Sequence, residues 1–370
     1  MYLKNLHIVN YRNIAQADTT FCSGINCFVG HNGVGKTNIL DAIYYLSFCK
    51  SFYSSPDSQN ILHGEPFFVI QGEYERNEMQ EQIYCGVKRG QKKQFKRNKK
   101  DYQRLSDHIG LLPTVVIYPF DELLIADGAE ERRKYADSVI SQCDKGYLEN
   151  LMAYNKLLQQ RNALLKQMQE QESEAIDTSL IDVIDIQMAR YGEAISERRS
   201  EFVKWLQPVL THYYQEISSG KEEVNMSYVT GLQRYQLYAG LVETRRRDVA
   251  LGYTSRGIHK DDIDFMLGEY PIKRVGSQGQ RKSFVIALKL AQFQYLTEHN
   301  GLRPILLLDD IFDKLDAQRG ANLIGLIATG HFDQIFVTDT NKERLQKILD
   351  KVNKQHKIFE VDNGNVTEAQ

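Results

Sequence analysis

The sequence predicts a mixed α/β fold, a sheet with flanking helices into which a helical lobe is inserted. Three observations carry that prediction. The apolar run Ile25-Asn26-Cys27-Phe28-Val29 breaks into a glycine-rich loop and then an amphipathic stretch. Near residue 129 proline disappears until Pro208, glycine becomes rare, and Leu, Gln, Glu and Lys dominate. The last third holds two very apolar segments, Ile305 to Leu308 and Ile335 to Val337.

Taken in order, Ile25 to Val29 reads as a buried strand entering a tight turn. Ile39, Leu40, Ile43 and Leu46 recur at helical spacing after Asn38, which predicts a helix with one apolar face. Phe67 to Val87 reads as strands and turns, and Pro113 to Phe120 as a further buried strand. In the lobe, Leu151, Leu158 and Leu165 stand seven apart with Leu157 and Leu164 beside them. Ile184, Met188, Tyr191 and Ile195 continue as a second stripe after the polar break around Glu170 to Ser179. This makes a short arm, since even a forty-residue helix spans only roughly 60 Å. After Ile217 strand character returns, and a long helix is expected from Arg281 to Leu296. The division that follows is 1–120, a strand-rich first part; 121–240, the helical lobe; and 241–370, the part that completes the sheet. No internal repeat or low-complexity run is evident.

Composition excludes several classes. With 42% hydrophobic residues the chain has enough for real cores. Its 46 Lys+Arg stand against 48 Asp+Glu, so a net charge of −2 excludes holding polyanions by bulk charge, and any such site must be a local patch. There is no stretch of eighteen apolar residues and no signal-like N-terminus, which reads as soluble, cytoplasmic and without a membrane partner. Cys22, Cys27, Cys49, Cys85 and Cys143 contain no C-x-x-C pair, which argues against a disulfide framework, a zinc site or a zinc hook.

Gly30-His31-Asn32-Gly33-Val34-Gly35-Lys36-Thr37 matches G-x-x-x-x-G-K-[ST] between a predicted strand and a predicted helix. Such glycines let backbone N–H groups turn toward a phosphate, and the helix adds the positive end of its dipole. Lys36 is expected to neutralise the β and γ phosphates of ATP and Thr37 to ligate Mg²⁺, with Asn38 completing the loop. Ile305 to Leu308 lead into Asp309-Asp310, a buried strand delivering carboxylates to its end. Asp309 would hold the Mg²⁺ through water; Asp310 would serve as base or orienter of the attacking water. Upstream, Ser277-Gln278-Gly279-Gln280 opens the long helix, where a serine and a glycine amide near a helix start can bind an anion.

Phosphate loop, insertion, S-Q-G-Q and hydrophobic strand with Asp-Asp follow one another in the order of ABC-type ATPases, P-loop NTPases in which the signature of one subunit caps the nucleotide of the other. The predicted fold class is therefore an ABC-type ATPase head with an inserted helical lobe. Asp313-Lys314-Leu315-Asp316 falls where such enzymes cross the dimer interface, so Asp316 is either an interface residue or a plain helix cap. In the switch strand Ile335 to Thr340, Asp339 stands where many relatives have histidine.

Over nearly its whole length the sequence resembles the RecF family, short-armed relatives of the SMC ATPases. The likeness rests on Leu6 to Asn13 (LHIVNYRN), the GHNGVGKTN loop, Leu105 to Pro113 (LSDHIGLLP), Gly128 to Asp137 with Arg132-Arg133, Gly257 to Asp262 (GIHKDD), SQGQ and LLLDD. Ile258 replaces a usual proline, Lys260 a usual arginine, and the proline of G-G-P before the double arginine is missing. The resemblance implies an ATP-dependent DNA-binding protein that dimerises around two nucleotides. It also implies slow, DNA-stimulated ATP hydrolysis as a release switch, and work with RecO and RecR to direct RecA onto gapped DNA at the nucleoid.

Lys88, Arg89, Lys92, Lys93, Lys96, Arg97, Lys99 and Lys100 place eight cations in thirteen residues. They are either a solvated face or a hairpin that tracks DNA phosphates. Arg245, Arg246 and Arg247 form a second candidate patch. Two other readings compete. An ATP-coupled nuclease of the overcoming-lysogenisation type needs an appended acidic metal-binding domain, yet only about sixty residues follow Asp310. A transporter motor subunit would carry L-S-G-G-Q.

Overall fold

The structure is a computed structural model that describes residues 1–53, 56–170, 179–220, 222–231, 236–312, 315–329, 332–350 and 354–369. Asp313 and Lys314 of the expected interface loop, and the polar break at 171–178, lie outside the described residues. The chain forms two compact units, one from residues 1–121, 213–221 and 278–370, the other from 122–212 and 222–277.

In the first unit the strand Ile25–Val29 is buried throughout and lies inside a six-stranded sheet. It pairs in parallel with Ile335–Asp339 on one side and His356–Asp362 on the other. Beyond Ile335–Asp339 come Ile305–Asp309 and then Thr114–Ile117, all parallel. Continuous burial on both faces is what a parallel sheet requires, and it explains why these strands read as unbroken apolar runs. A second, antiparallel sheet contains Tyr2–Tyr11, Ile14–Thr20, Phe67–Arg76, Met79–Lys88, Gln94–Arg97 and Lys100–Asp101. Its alternating burial leaves one face polar.

The helix Lys36–Phe48 touches strands of both sheets. Its expected single apolar face is therefore too narrow: Ala42, Tyr45 and Phe48 are buried as well as Ile39, Leu40, Ile43 and Leu46. A helix covered from two sides has to be apolar around most of its circumference. Phe28, Phe336 and Phe359 stack beneath it, with Phe21 edge-on to all three.

The second unit contains Ala129–Cys143, Lys145–Glu170, most of Ser179–Ser218, Leu237–Leu251 and a three-stranded sheet of Val224–Val229, Asp262–Leu267 and Tyr270–Pro271. It extends past the expected boundary at 240, because Asp262–Leu267 pairs with Val224–Val229 and Leu237–Leu251 packs on Lys145–Glu170. The buried seam of Lys145–Glu170 differs from the leucine stripe. Tyr147, Tyr154, Arg161 and Met168 occupy it at seven-residue spacing, joined by Leu157 and Leu165, while Leu151 and Leu158 are only half-buried. Arg161 is fully buried against Asp185 (2.6 Å), Asp248 (2.7 Å), Thr254 and the Leu241 carbonyl. A charge at a seam position is tolerable only when it is paired and its donors are filled.

Candidate nucleotide-binding site

The loop after Ile25–Val29 needs glycine at two points for different reasons. At Gly30 a Cβ would lie 2.3 Å from the Val361 carbonyl oxygen, so the neighbouring strand passes too close for any side chain. Gly35 caps the following helix at φ +117°, a left-handed conformation, and its Cβ would meet Asn13 Oδ1 at 2.9 Å. His31, Asn32 and Gly33 are left exposed at the crest.

Lys36 is buried, and its Nζ donates to the carbonyls of Gly30 (2.8 Å) and His31 (2.9 Å), which stations the ammonium inside the loop. Thr37 Oγ1 donates to the Asp309 carboxylate at 2.9 and 3.0 Å. The parallel register sets Asp309 opposite Thr338, whose hydroxyl donates to Asp309 Oδ1 at 2.6 Å and accepts the Asp310 N–H at 3.0 Å. Asp310 itself has φ +44°. One hydroxyl from the intervening strand thus orients one carboxylate and supports the strained backbone of the next. Burial raises the Asp309 pKa above its ordinary 3.8; the bonds from Thr338 and Thr37 and the charge of Lys36 oppose that shift.

Sequence reasoning missed three neighbours. Asn13 Oδ1 accepts from Asn38 Nδ2 at 2.7 Å, and Thr338 is the link just described. Tyr53 has its phenol pushed up to about 12 by burial and then by the charge of Asp309. The signals were present as N-Y-R-N and V-T-D, but neither carries a spacing rule of its own. Arg12 bonds Asp41 (2.9 Å) and Ser51 (2.9 Å) and lies 4.5 Å over the Tyr53 ring. Asp339 is fully buried and takes a forked pair of bonds from Arg344 at 2.8 and 2.6 Å, with a third from the Asn341 N–H. It closes a turn there.

The long helix begins at Gln278 rather than Arg281 and runs to Asn300. Ser277 and Gln278 are exposed, and no atom lies within 4 Å of a Cβ built on Gly279. Nothing described in this chain explains a glycine there. Asp316 caps Ala317–Thr329 through the Arg319 N–H at 2.8 Å and pairs with the Arg319 side chain at 3.2 Å.

The basic segment is not one surface. Lys93 turns inward, where its ammonium reaches Asp57 (2.7 Å), the Cys49 carbonyl (2.7 Å) and Tyr45. Arg97 forks onto the buried Glu81, and Lys96 lies over Tyr84 and 3.9 Å from Asp101. Lys88, Arg89, Lys92, Lys99 and Lys100 remain outside, at the two turns of the hairpin. Arg245 is likewise held, by Asp182 and Asp185.

In the second unit the GIHKDD loop and the double arginine bolt one another. Arg132 forks onto Asp262 (2.8 and 2.9 Å), Arg133 donates to the Asp261 carbonyl (2.6 Å), and Arg199 to the Ile258 carbonyl (2.8 Å). His259 bridges Tyr154 and the Thr254 carbonyl, its pKa pushed down to about 4 by burial. Ile258, where the family tends to have proline, is buried in the core at 1% exposure.

Among the described residues no three His, Cys, Asp or Glu side chains cluster for a metal, so a divalent cation held by Thr37 and Asp309 would need phosphate oxygens to complete its shell. No helix among them is long and apolar enough to cross a membrane.

A phosphate loop, a carboxylate strand separated from it by one parallel strand, and a helix opening with S-Q-G-Q define an ABC-type ATPase head. The family model for the RecF/RecN/SMC N terminal domain matches residues 2–367. The DNA replication and repair protein RecF of Phocaeicola vulgatus is 52% identical over 100% of this chain and 98% of its own. That of Bacteroides fragilis is 50% identical over 100% and 99%. A solved structure of the recombination mediator protein RecF with ATP, from the RecFOR pathway, has a TM-score of 0.89 at 29% identity and covers 100% of this chain and 98% of that one. The Smc head domain of Pyrococcus furiosus shares the fold alone, with TM-score 0.58 at 14% identity over 100% and 96%. The chain belongs to the RecF family of DNA replication and repair proteins.

Proposed function

We propose that this chain is an ATP-gated recombination mediator that closes as a homodimer around two nucleotides on gapped DNA. With RecO and RecR it would help load RecA, and slow hydrolysis would release it. The observation that carries the reading is the buried carboxylate of Asp309, held at 2.9 Å by Thr37 of the phosphate loop and at 2.6 Å by Thr338. A carboxylate at the end of a buried strand, beside a loop hydroxyl and the Lys36 ammonium, suits a divalent cation bridging phosphates. Bound Mg²⁺ would supply charge neutralisation at the β and γ phosphates.

The chain's own residues divide the remaining work. Backbone N–H groups from Gly30 to Gly35 and the N-terminus of the helix at Lys36 receive the triphosphate. Lys36 cancels one phosphate charge, and Asn38 is fixed beside it by Asn13. Asp310 orients the attacking water; its carboxylate is one methylene shorter than the glutamate usual in ABC-type ATPases, which leaves the water poorly aligned and turnover slow. Ser277 is exposed and Gly279 half-buried at a helix start, and both would face the phosphate of a second copy. The glycine leaves room for that approach.

Molar mass by light scattering tests this, with Asp310→Asn used to keep ATP from being consumed. The expected result is a monomer without nucleotide and a dimer with Mg-ATP, and a monomer in both conditions once Ser277→Arg is added. A persistent monomer with ATP bound, in the presence and absence of gapped DNA, would overturn the gated dimer.

A further inference from the structure

Just before the signature, the one-turn helix Ile272–Val275 is anchored in the second unit by Ile272, 1% exposed, and closed by a bond from the Gly276 N–H to the Ile272 carbonyl (2.9 Å). Lys273, Arg274 and Val275 face solvent. Elsewhere in the same unit Arg132, Arg161, Arg199 and Arg245 are all held by carboxylates. Among the described residues Arg274 makes no hydrogen bond and no ion pair. It stands three residues before Ser277, at most about 10 Å away along the chain. A group that meets Ser277 is therefore within range of the arginine side chain.

Charge counting at the loop shows what such a cation would serve. A nucleoside triphosphate with its divalent ion carries roughly −2, Asp309 and Asp310 add two more, and Lys36 with the helix N-terminus returns about +1.5. About two and a half negative charges are left uncompensated. The other guanidinium groups of the first unit described near this site are committed, Arg12 to Asp41 and Arg344 to Asp339. The missing positive charge has to arrive with whatever covers the loop.

We infer that Arg274 is a ligand in trans: its guanidinium meets the terminal phosphate oxygens of the nucleotide held by a second copy's loop. The planar fork of arginine pairs with two phosphate oxygens at once, which the point charge of a lysine does not. This rests on the ATP-gated dimer proposed above.

The test compares Arg274→Gln, Arg274→Lys and Asp310→Asn for hydrolysis alone and in mixtures, with binding of a fluorescent ATP analogue as the control for an intact loop. Arg274→Gln is expected to bind the analogue as a monomer like wild type, to lose at least about tenfold in hydrolysis, and to be partly rescued by Arg274→Lys. Asp310→Asn, which keeps its loop and its ATP, is expected to be inactive alone. Mixed in equal amounts with Arg274→Gln, it should restore about a quarter of the wild-type rate, because half the dimers are mixed and each has one complete site of two. Wild-type hydrolysis by Arg274→Gln, or a mixture no more active than its components, overturns the inference while wild-type protein still dimerises. If wild-type protein itself stays monomeric with ATP bound, the dimer reading fails and takes this one with it.

Discussion

At the scale of single residues, Asp309 pays for its position. Burial lifts its pKa above 3.8, and three favourable partners do not fully cancel that rise. Because the folded value lies above the unfolded one, the stability tied to this group is present in full below 3.8 and is lost as pH rises through the folded value. Asp309→Asn removes the charge while keeping an acceptor for Thr37 and Thr338. Its unfolding midpoint at pH 7 should rise by about 1 °C, the gain should shrink toward pH 4, and Mg²⁺-dependent hydrolysis should be lost. Scanning calorimetry at the two pH values decides it: a variant less stable than wild type at pH 7 would show that the hydrogen bonds outweigh the buried charge. Asp309, Lys36 and Thr37 were legible because their motifs have fixed spacing and a strand or helix on the correct side. Thr338 and Asn13 were not, since each acts through a residue far away in sequence, and only the strand order brings Thr338 beside Asp309.

Among elements, the basic hairpin shows where composition and geometry part. Lys92 and Lys93 lie on the turn before Gln94–Arg97, while Lys96 and Arg97 are neighbours on that strand and point to opposite faces, so the run of cations does not all face one way. Lys93 points inward to Asp57 and to the carbonyl of Cys49, the residue that ends the phosphate-loop helix, where a cation also suits the helix dipole. Lys93→Met should therefore cost about 2 kcal/mol in urea denaturation, by leaving the half-buried Asp57 carboxylate without its cation. Lys92→Glu with Lys99→Glu should change stability by no more than about 0.5 kcal/mol while weakening duplex binding. A Lys93→Met protein as stable as wild type would mean that the inward contact contributes nothing. The same limit of pattern reading appears in the arm, where the seam runs through Tyr147, Tyr154, Arg161 and Met168. A buried arginine breaks any search for apolar heptads, and its partners Asp185 and Asp248 lie on other helices. Strands of the parallel sheet were easier to read, since burial on both faces leaves an unbroken apolar run.

For the whole molecule, near-neutral net charge makes the proposed DNA binding a matter of which patches would meet the phosphates at one time. A chain with net charge −2 gains little from long-range attraction, so affinity must come from local contacts that release counterions. Each phosphate neutralised contributes about −0.9 to the slope of log K against log salt on duplex DNA. One hairpin offers Lys88, Arg89, Lys92, Lys99 and Lys100; a closed dimer carries two such sets. If nucleotide closes both copies on one duplex, the slope for Asp310→Asn with Mg-ATP should be roughly twice that without nucleotide. Lys92→Glu with Lys99→Glu should flatten both slopes while leaving the ATP-dependent mass change intact. A slope that ATP does not alter, in protein that demonstrably dimerises, would mean that only one hairpin touches DNA in the closed state, and the clamp would then have to grip through another surface. Titration of a fluorescent duplex at several salt concentrations, repeated with a gapped substrate, separates these outcomes: the phosphate term is common to both, and any surplus affinity for the gap is a contribution that these cations do not make.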